Sequence, residues 1–174
     1  LLQFKTRQVL ADDVIDGLLN DTIDAGFHIG TIDHPDISVL PLRTITYLVV
    51  GPVAYAEVLA RGGWKEVAQL PWIAAPERSH AARFLRSLFS QHGVRPNEAI
   101  ECDQLSATLD LVRSGLGMGL LREDIALTAV EKNEVVLWPH GRTEGRLSFL
   151  YKQSAESDPS IIGLLSVLRE HWKI

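Results

Sequence analysis

The side chains of this chain that could carry chemistry are its histidines, a run of aspartates near the start and its one cysteine, Cys102. The six histidines are scattered without metal-ligand spacing, which favours surface or incidental roles for most of them. They are His28, His34, His80, His92, His140 and His171. The aspartates are explained by helix capping and a solvated face, and they are Asp12, Asp13, Asp16, Asp21 and Asp24. Neither group predicts acid–base catalysis or a metal centre.

The catalytic and nucleotide motifs that a sequence can display are missing. The chain has no GxSxG elbow, P-loop, GxGxxG after a strand, HExxH or paired CxxC. Its glycine-rich GLGMG segment, residues 115–119, follows an expected helix and precedes an expected strand. That order is the reverse of the one that places a phosphate at a helix N-terminus. The sequence therefore predicts a protein that is not an enzyme, with no cofactor and no bound metal.

The composition of the chain argues against several further classes of protein. With 17 Lys+Arg against 22 Asp+Glu, the formal net charge is −5, and no basic stripe recurs that could displace counterions from duplex DNA. Cys102 cannot form an internal disulfide, which favours a reducing, cytoplasmic setting. No apolar run approaches the length of a membrane span, and the first residues, LLQFKTRQ, lack the organisation of a signal peptide. A length of 174 residues that are 46% hydrophobic suits one domain or two small lobes.

The elements that must position any site are predicted most clearly around DLVRSGLGMGLL, Asp110 to Leu121. Leu105, Leu109, Val112 and Leu116 form a helical apolar stripe, and Gly115 stands where a left-handed helix C-cap belongs. Glycines at 117 and 119 leave backbone without side chains in the strand that follows. So tight a joint between helix and strand is typical of an α/β domain.

The rest of the chain alternates between strands and helices, which predicts open, mostly parallel sheets. The expected strands are Leu1–Arg7, Ala25–Ile29, Ile37–Val50 as one long or broken strand with a bend near Pro41, Trp72–Ala75, Ala99–Cys102, Val135–Trp138 and Leu147–Lys152. The expected helices are one capped by Asp12 or Asp13, then Tyr55–Ala60, Trp64–Ala68, one capped by Ser79 and running to Gln91, Leu105–Ser114, Arg122–Val130 and Ser160–Trp172.

Four segments in order resemble the effector-binding domain of LysR-type transcriptional regulators. The first, DDVIDGLLNDTIDAGFHIG, is similar to that family's helix, acidic turn and strand, and SVLPLRTITYLVVGP to the strand that crosses between its lobes. WKEVAQLPWIAAPERSHAARFL is similar to the leucine-proline, strand, loop and helix of the second lobe, and ECDQLSATLDLVRSGLGMGLL to its final helix and strand. The resemblance covers nearly the whole chain.

The chain departs from the family at three places. The family's effector domain begins with a further strand and helix, and its winged helix-turn-helix lies upstream of those; we expect both ahead of Leu1. Arg122 stands where the family often has proline, and the Thr31–His34 loop varies freely in the family.

The resemblance implies an α/β fold like that of periplasmic solute-binding proteins, with two Rossmann-like lobes of mixed, mostly parallel sheet and a two-strand hinge. Residues 1–50 and 122–174 would form the first lobe, residues 51–121 the second, and the hinge would include Val50 and Arg122. A small effector would bind in the cleft between the lobes, since ligands in open α/β sheets settle outside the carboxyl ends of strands.

That rule places the candidate ligand-binding residues directly after the expected strands. They are Gln8, Gly30, Thr31 and Ile32 in the first lobe and Pro76, Ser79, Asp103 and Gln104 in the second. Ser79 and Asp103 are also good helix N-caps, whereas Thr31 and Gln104 have no such alternative duty. Arg7, Arg78 and His80 could offer positive charge to a carboxylate effector, although long basic side chains beside loops are usually solvated.

In function, the resemblance implies effector-dependent control of transcription in the cytoplasm of a bacterium. The expected partners are a small-molecule effector, further copies of the chain in a homodimer or homotetramer, promoter DNA through a DNA-binding domain outside this sequence, and no membrane. Leu88, Phe84 and Val14, on the two helices best placed for dimer contacts, could face either an interface or the core. The alternative hypothesis is a transport-linked solute-binding protein of the same fold; an enzyme on this fold ranks third.

Overall fold

Helices and strands alternate along the computed structural model, which describes residues 4–174. In chain order the elements are α1 (Ala11–Leu19), β1 (Ala25–Ile29), β2 (Ile37–Gly51), a 3-10 turn (Val53–Tyr55), α2 (Ala56–Arg61), α3 (Trp64–Gln69), β3 (Pro71–Ala74), α4 (His80–Ser90), β4 (Asn97–Glu101), α5 (Leu105–Arg113), β5 (Gly119–Arg122), α6 (Glu123–Glu131), β6 (Val136–Lys152), a second 3-10 turn (Gln153–Ala155) and α7 (Pro159–Trp172). The α/β class predicted from the sequence is confirmed.

The chain divides into two compact units. Unit 1 comprises Leu1–Thr44 and Gly145–Ile174, and unit 2 comprises Ile45–Glu144. The chain therefore passes from one unit to the other inside its two long strands, β2 and β6. The lobe boundaries expected at residues 50 and 121 stay predictions, and the units as clustered assign residues 45–50 and 122–144 to unit 2.

Unit 1 is built on the antiparallel pair of β1 with the end of β6, in which Phe27 lies opposite Phe149. One apolar cluster packs α1 against the strands and consists of Val14, Leu18, Ile37 and Leu150. A second cluster, made of Leu42, Phe149, Tyr151, Ile161 and Leu165, packs α7 against the strands. The apolar stripes of α1 and α7 are thus used inside unit 1, and Val14 belongs to its core.

Unit 2 contains two kinds of strand pairing. The end of β2 pairs antiparallel with β5, with Tyr47 opposite Arg122, while β3 pairs parallel with β4. The four-stranded sheet has the order β1-β6-β2-β5. The described sheets are mixed, and less parallel than the alternation predicted, because both described pairings of the long strands are antiparallel. Leu48, Val50, Ile73, Leu109, Val112, Leu121, Ala126, Ala129 and Val135 form the main core of this unit.

The helix-end signals predicted at Ser79 and Gly115 are confirmed. Ser79 Oγ accepts the N–H of Ala82 at 3.1 Å, and Asp158 Oδ1 accepts the N–H of Ser160 at 2.7 Å, so both residues cap helices. Gly115 has φ +83°, the left-handed C-cap predicted for it. A β-carbon at Gly117 would stand 2.7 Å from the Pro71 carbonyl oxygen, which shows how closely the backbone passes there.

Three local predictions are wrong. Residues 4–10 have no regular secondary structure, because the described sheet gives this alternating segment no hydrogen-bonded neighbour; Leu1–Gln3 of the expected first strand lie outside the described residues. The strands expected at Val135–Trp138 and Leu147–Lys152 are one continuous strand, β6, since the polar and glycine residues between them also pair in the sheet. Leu10 occupies the N-cap position of α1, and Asp12 and Asp13 lie in its first turn, where they complement the helix dipole.

In the described part of the chain, none of the helices combines the length and the apolar character that crossing a bilayer requires.

Candidate functional site

One sheet edge in unit 2 brings together the four ligand-binding residues predicted for that part of the chain. The parallel pairing of β3 with β4 places their carboxyl ends side by side, and the N–H of Cys102 donates to the carbonyl oxygen of Ala74 at 2.9 Å. The loop with Pro76 and Ser79 and the loop with Asp103 and Gln104 therefore leave the sheet at the same edge. We call this edge, residues 75–80 and 102–105, the strand-end site.

Ser79 is committed to the start of α4. Its side chain is buried, its hydroxyl oxygen accepts the N–H of Ala82, and its own N–H donates to the carbonyl oxygen of Pro76 at 2.9 Å. The hydroxyl proton of Ser79 is not used by the cap. Ser79 can thus cap the helix and still offer one hydrogen-bond donor.

Gln104, rather than Asp103, occupies the N-cap position of α5, and it makes no side-chain cap. Its carbonyl oxygen accepts from the Thr108 hydroxyl at 3.0 Å and from the Cys102 thiol at 3.5 Å. The side chains of Asp103 and Gln104 are both exposed. The capping role weighed for Asp103 is therefore wrong. The side-chain amide of Gln104 takes no part in capping α5.

Sequence reasoning missed the tyrosine that lies behind this edge. Tyr47 on β2 is 2% exposed, and its hydroxyl lies 2.8 Å from Nε2 of His80, the first residue of α4. Phe84 completes a three-ring cluster, with its centroid 5.5 Å from that of Tyr47 and 5.8 Å from that of His80. Burial raises the pKa of Tyr47 to about 12. In the sequence Tyr47 is one more strand residue among β-branched neighbours, and its partner is 33 residues away.

The predicted hinge residues both lie in unit 2. Val50 is fully buried in the core of that unit, and Arg122 ends β5 at the N-cap position of α6. The Arg122 guanidinium forms a fork on the Asp124 carboxylate, with both N···O distances 2.6 Å. This fork holds the pKa of Asp124 below its ordinary value. Their hinge role stays a prediction, whereas the crossings between the units fall at residues 44/45 and 144/145.

The four ligand-binding residues predicted for the first lobe lie in unit 1. Gln8 is exposed in the irregular segment before α1, and Gly30, with φ +134°, donates its N–H to the Arg146 carbonyl oxygen at 3.0 Å. Thr31 is exposed, whereas Ile32 packs against the α1 core cluster. The Ile32 side chain therefore contributes to the core, and Thr31 is the member of this loop whose side chain faces solvent.

The other basic candidates differ in exposure. Arg7 and Arg78 are exposed, and His80 is half-buried. Two cavities lie away from all of the predicted ligand-binding residues. One of about 430 Å³ in unit 1 is lined by Leu19, Asp36, Lys152, Gln153 and Ser154, and one of about 460 Å³ in unit 2 by Lys65, Glu66, Gln69 and Val94. Within residues 4–174, no group of three or more His, Cys, Asp or Glu side chains could hold a metal ion.

A family model described as the LysR substrate binding domain matches residues 2–173 of the chain. Among solved structures, the chain is similar to the regulatory domain of CcmR from Synechocystis in complex with 2-PG, at 14% identity and a TM-score of 0.77 over 94% of this chain and 80% of that one. It is also similar to the effector binding domain of QuiR in complex with shikimate, at 17% identity and a TM-score of 0.76 over 95% and 79%. Full-length CbnR complexed with its target DNA matches at 16% identity and a TM-score of 0.67 over 95% of this chain and 59% of that one. No curated protein matches the sequence.

Proposed function

The chain belongs to the LysR substrate-binding domain family, and from that premise we propose that it is the effector-sensing domain of a LysR-type transcriptional regulator. The observation that carries the proposal is the family match over nearly the whole chain, residues 2–173. The match is to a regulatory domain, not to an enzyme family, and we propose that this chain likewise senses and does not catalyse. A transport-linked solute-binding protein receives no support from the match.

The effector we propose is a small carboxylate. The strand-end site offers the Ser79 hydroxyl proton, the Gln104 amide and the N-terminus of α4, an 11-residue helix. These groups donate hydrogen bonds, and a helix N-terminus favours negative charge, so an acceptor-only carboxylate suits them better than a cation. The QuiR domain was solved with shikimate, which is itself a carboxylate. The candidates of unit 1, Gln8 and the Gly30–Ile32 loop, remain proposals that mutation can test separately.

In the proposed mechanism, effector binding favours one of the domain's conformations and so shifts a population that oligomer contacts relay to a DNA-binding domain. The partners would be further copies of the chain, in a dimer or tetramer, and promoter DNA, and the setting would be the cytoplasm. CbnR, whose full-length form was solved with its target DNA, gives the precedent for the DNA partner.

The test is a thermal-shift screen of small carboxylates that includes shikimate and 2-PG. A bound carboxylate at 100 times its Kd should stabilise the domain by about 2.7 kcal/mol. Gln104→Ala should reduce the shift at fixed ligand concentration, whereas Gln69→Ala, an exposed glutamine of the same unit, should leave it unchanged. In unit 1, Thr31→Ala should likewise reduce the ligand-induced Tm shift, whereas the control Thr6→Ala should leave it unchanged. If no carboxylate raises the Tm, or if both members of each pair behave alike, the proposal fails.

A further inference from the structure

The loop between β3 and α4 contributes Pro76 and Ser79 to the strand-end site, and one arginine of α4 contacts the middle of this loop. Two hydrogen bonds join Arg86 to Glu77: Nη1 donates to the carboxylate oxygen Oε1 and Nη2 to the backbone carbonyl oxygen, each at 3.1 Å. Both distances are those of ordinary N–H···O bonds. A single side chain thus holds both the side chain and the backbone of the same loop residue.

The position of Arg86 on α4 explains how its side chain reaches the loop. Arg86 lies about two helical turns after the N-cap Ser79, so the two residues are on the same face of the helix. Helical side chains lean toward the N-terminus of their helix, and this directs the long arginine back along α4 toward Glu77. The planar guanidinium offers its N–H groups in a fixed fork, whereas a lysine ammonium is a compact point charge. The fork therefore suits two acceptors at different positions on one residue.

Backbone hydrogen bonds hold the two ends of the loop. The carbonyl oxygen of Ala74 accepts the N–H of Cys102, and the carbonyl oxygen of Pro76 accepts the N–H of Ser79, each at 2.9 Å. Glu77 lies between these bonds and is exposed, and the hydrogen bonds that it makes within residues 4–174 are the two with Arg86. Arg86 therefore supplies the contact that orders the middle of the loop.

The exposure of this pair indicates a local effect rather than a large contribution to the stability of the unit. The side chain of Arg86 is 49% exposed and that of Glu77 is 84% exposed. Exposed ion pairs add little to the free energy of unfolding, because water and salt screen them. Such a pair can still shift the local equilibrium between the ordered and the open loop. An effector that binds the ordered loop then loses less conformational freedom on binding.

We propose that Arg86 is a positioning residue for the strand-end site: its guanidinium holds the carboxylate and the carbonyl oxygen of Glu77 and so keeps Pro76 and Ser79 where a ligand meets them. The consequence for effector affinity rests on the proposed function, whereas the ordering of the loop does not.

The first readout is amide hydrogen exchange at Ser79, whose N–H bonds to Pro76 inside the loop. Arg86→Ala removes both bonds to Glu77 and should speed this exchange up to about tenfold, the factor that a hydrogen bond to a charged group allows. Glu77→Ala removes only the carboxylate bond and should have a smaller effect. The double variant should exchange no faster than Arg86→Ala, because the bond to the carboxylate is then already lost.

The matched control is Arg61→Ala on α2. Arg61 is an exposed helical arginine of the same unit, and its side chain makes no hydrogen bond or ion pair within the described part of the chain. Its loss should leave the exchange at Ser79 unchanged.

Two conservative variants separate the fork from the charge. Arg86→Lys keeps the positive charge but not the planar fork, so the exchange at Ser79 should be nearly as fast as in Arg86→Ala. Glu77→Gln loses the negative charge but keeps both acceptor oxygens, so the exchange should stay slower than in Glu77→Ala.

Titration with shikimate and 2-PG gives the third readout. For a compound that binds the wild type, we expect a Kd up to about tenfold higher in Arg86→Ala and an unchanged Kd in Arg61→Ala. The Tm without ligand should be nearly the same in all three proteins, because the pair is exposed. A pair that only stabilised the fold would lower the Tm and leave the Kd unchanged.

Unchanged exchange at Ser79 in a folded Arg86→Ala would overturn the proposal, and so would additive effects of Arg86→Ala and Glu77→Ala. Glu77→Ala lies in an exposed loop and tests the contact even if the helix variant does not fold. An unchanged Kd in Arg86→Ala would refute the positioning role even if the loop exchanged faster. A carboxylate screen that finds no ligand would refute the proposed function, and the exchange measurements, which need no ligand, would still decide whether Arg86 orders the loop.

Discussion

Adding one methyl group to Gly141 should destabilise unit 2, because the place where a side chain would go is already filled. Gly141 lies on β6, and an added β-carbon would collide with Cβ and Cγ2 of Val49 on β2 and approach Cε3 of Trp138 at 3.0 Å. Val49 is fully buried, and a β-carbon cannot be moved by changing a rotamer. The clash in Gly141→Ala can therefore be relieved only by moving backbone.

The expected cost is that of overpacking a tight core, about 1–3 kcal/mol of unfolding free energy. For a chain of this size, each kcal/mol lowers the Tm by about 2–4 °C, so Gly141→Ala should lose about 2–12 °C. The tryptophans allow the effect to be located, since Trp64, Trp72 and Trp138 belong to unit 2 and Trp172 to unit 1. Unfolding followed by fluorescence, with Trp172→Phe to isolate unit 2, should show the loss in the unit 2 transition.

The matched control is Gly163→Ala. Gly163 lies inside α7, and no atom stands within 4 Å of where its β-carbon would be. Alanine is the better helix former by about 1 kcal/mol, so this variant should be as stable as the wild type or more stable. Adding Val49→Ala to Gly141→Ala should recover part of the loss, which a double-mutant cycle measures as coupling. Equal stability of Gly141→Ala and Gly163→Ala would refute the packing argument.

Three further predictions concern side chains outside that contact. Ser79→Ala should lose about 1 kcal/mol of unfolding free energy in urea titrations through its missing cap, while Ser79→Asp should keep most of it; equal losses would contradict the capping role. The pKa of Asp124 is lowered chiefly by its hydrogen bond with Arg122, so the pair's contribution is present above the ordinary carboxyl value of 3.8 and is lost as the pH falls through the lower, folded value. Arg122→Gln should flatten that part of the acid-stability profile, and an unchanged profile would count against the pair. The guanidinium carbon of Arg43 lies 5.1 Å from the Trp172 ring centroid, which is a cation–π distance. Arg43→Gln should therefore alter the fluorescence emission of Trp172 and lower the unfolding free energy by about 0.5–1 kcal/mol. Arg169→Gln, an exposed change on α7, is the control.

The parts of the fold that the sequence predicts are those with local causes. The Ser79 cap and the left-handed Gly115 each depend on a few neighbouring residues, and each was predicted from them. The segment at residues 4–10 alternates like a strand, yet a strand also needs a neighbour to pair with, and alternation does not reveal one. The same limit hid the continuity of β6, in which Gly141 lies against Val49 of the distant strand β2.

The sequence also could not separate core positions from interface positions, because it does not show which partner a residue contacts. Val14 and Leu88 lie on apolar helix stripes, and such a stripe looks the same whether it meets its own chain or another. In the structure both side chains are buried within their units, at 5% and 7% exposure, whereas Phe84 is half-buried against Tyr47. Burial of the first two leaves little of their side chains exposed for contact with a second copy.

The adjacent residues Ser79 and His80 show why the family is easier to recognise than the effector. Ser79 caps α4 through a contact three residues away, so its role can be inferred from the local sequence. The His80 ring contacts Tyr47, 33 residues earlier, and no spacing rule connects the two. Caps, turn glycines and apolar periods can therefore identify a fold that its structural relatives share at 14–17% identity. Long-range pairs such as Tyr47 and His80 leave no trace in those local signals. The effector must for that reason be identified by measurement, because the features that place this chain in its family do not encode it.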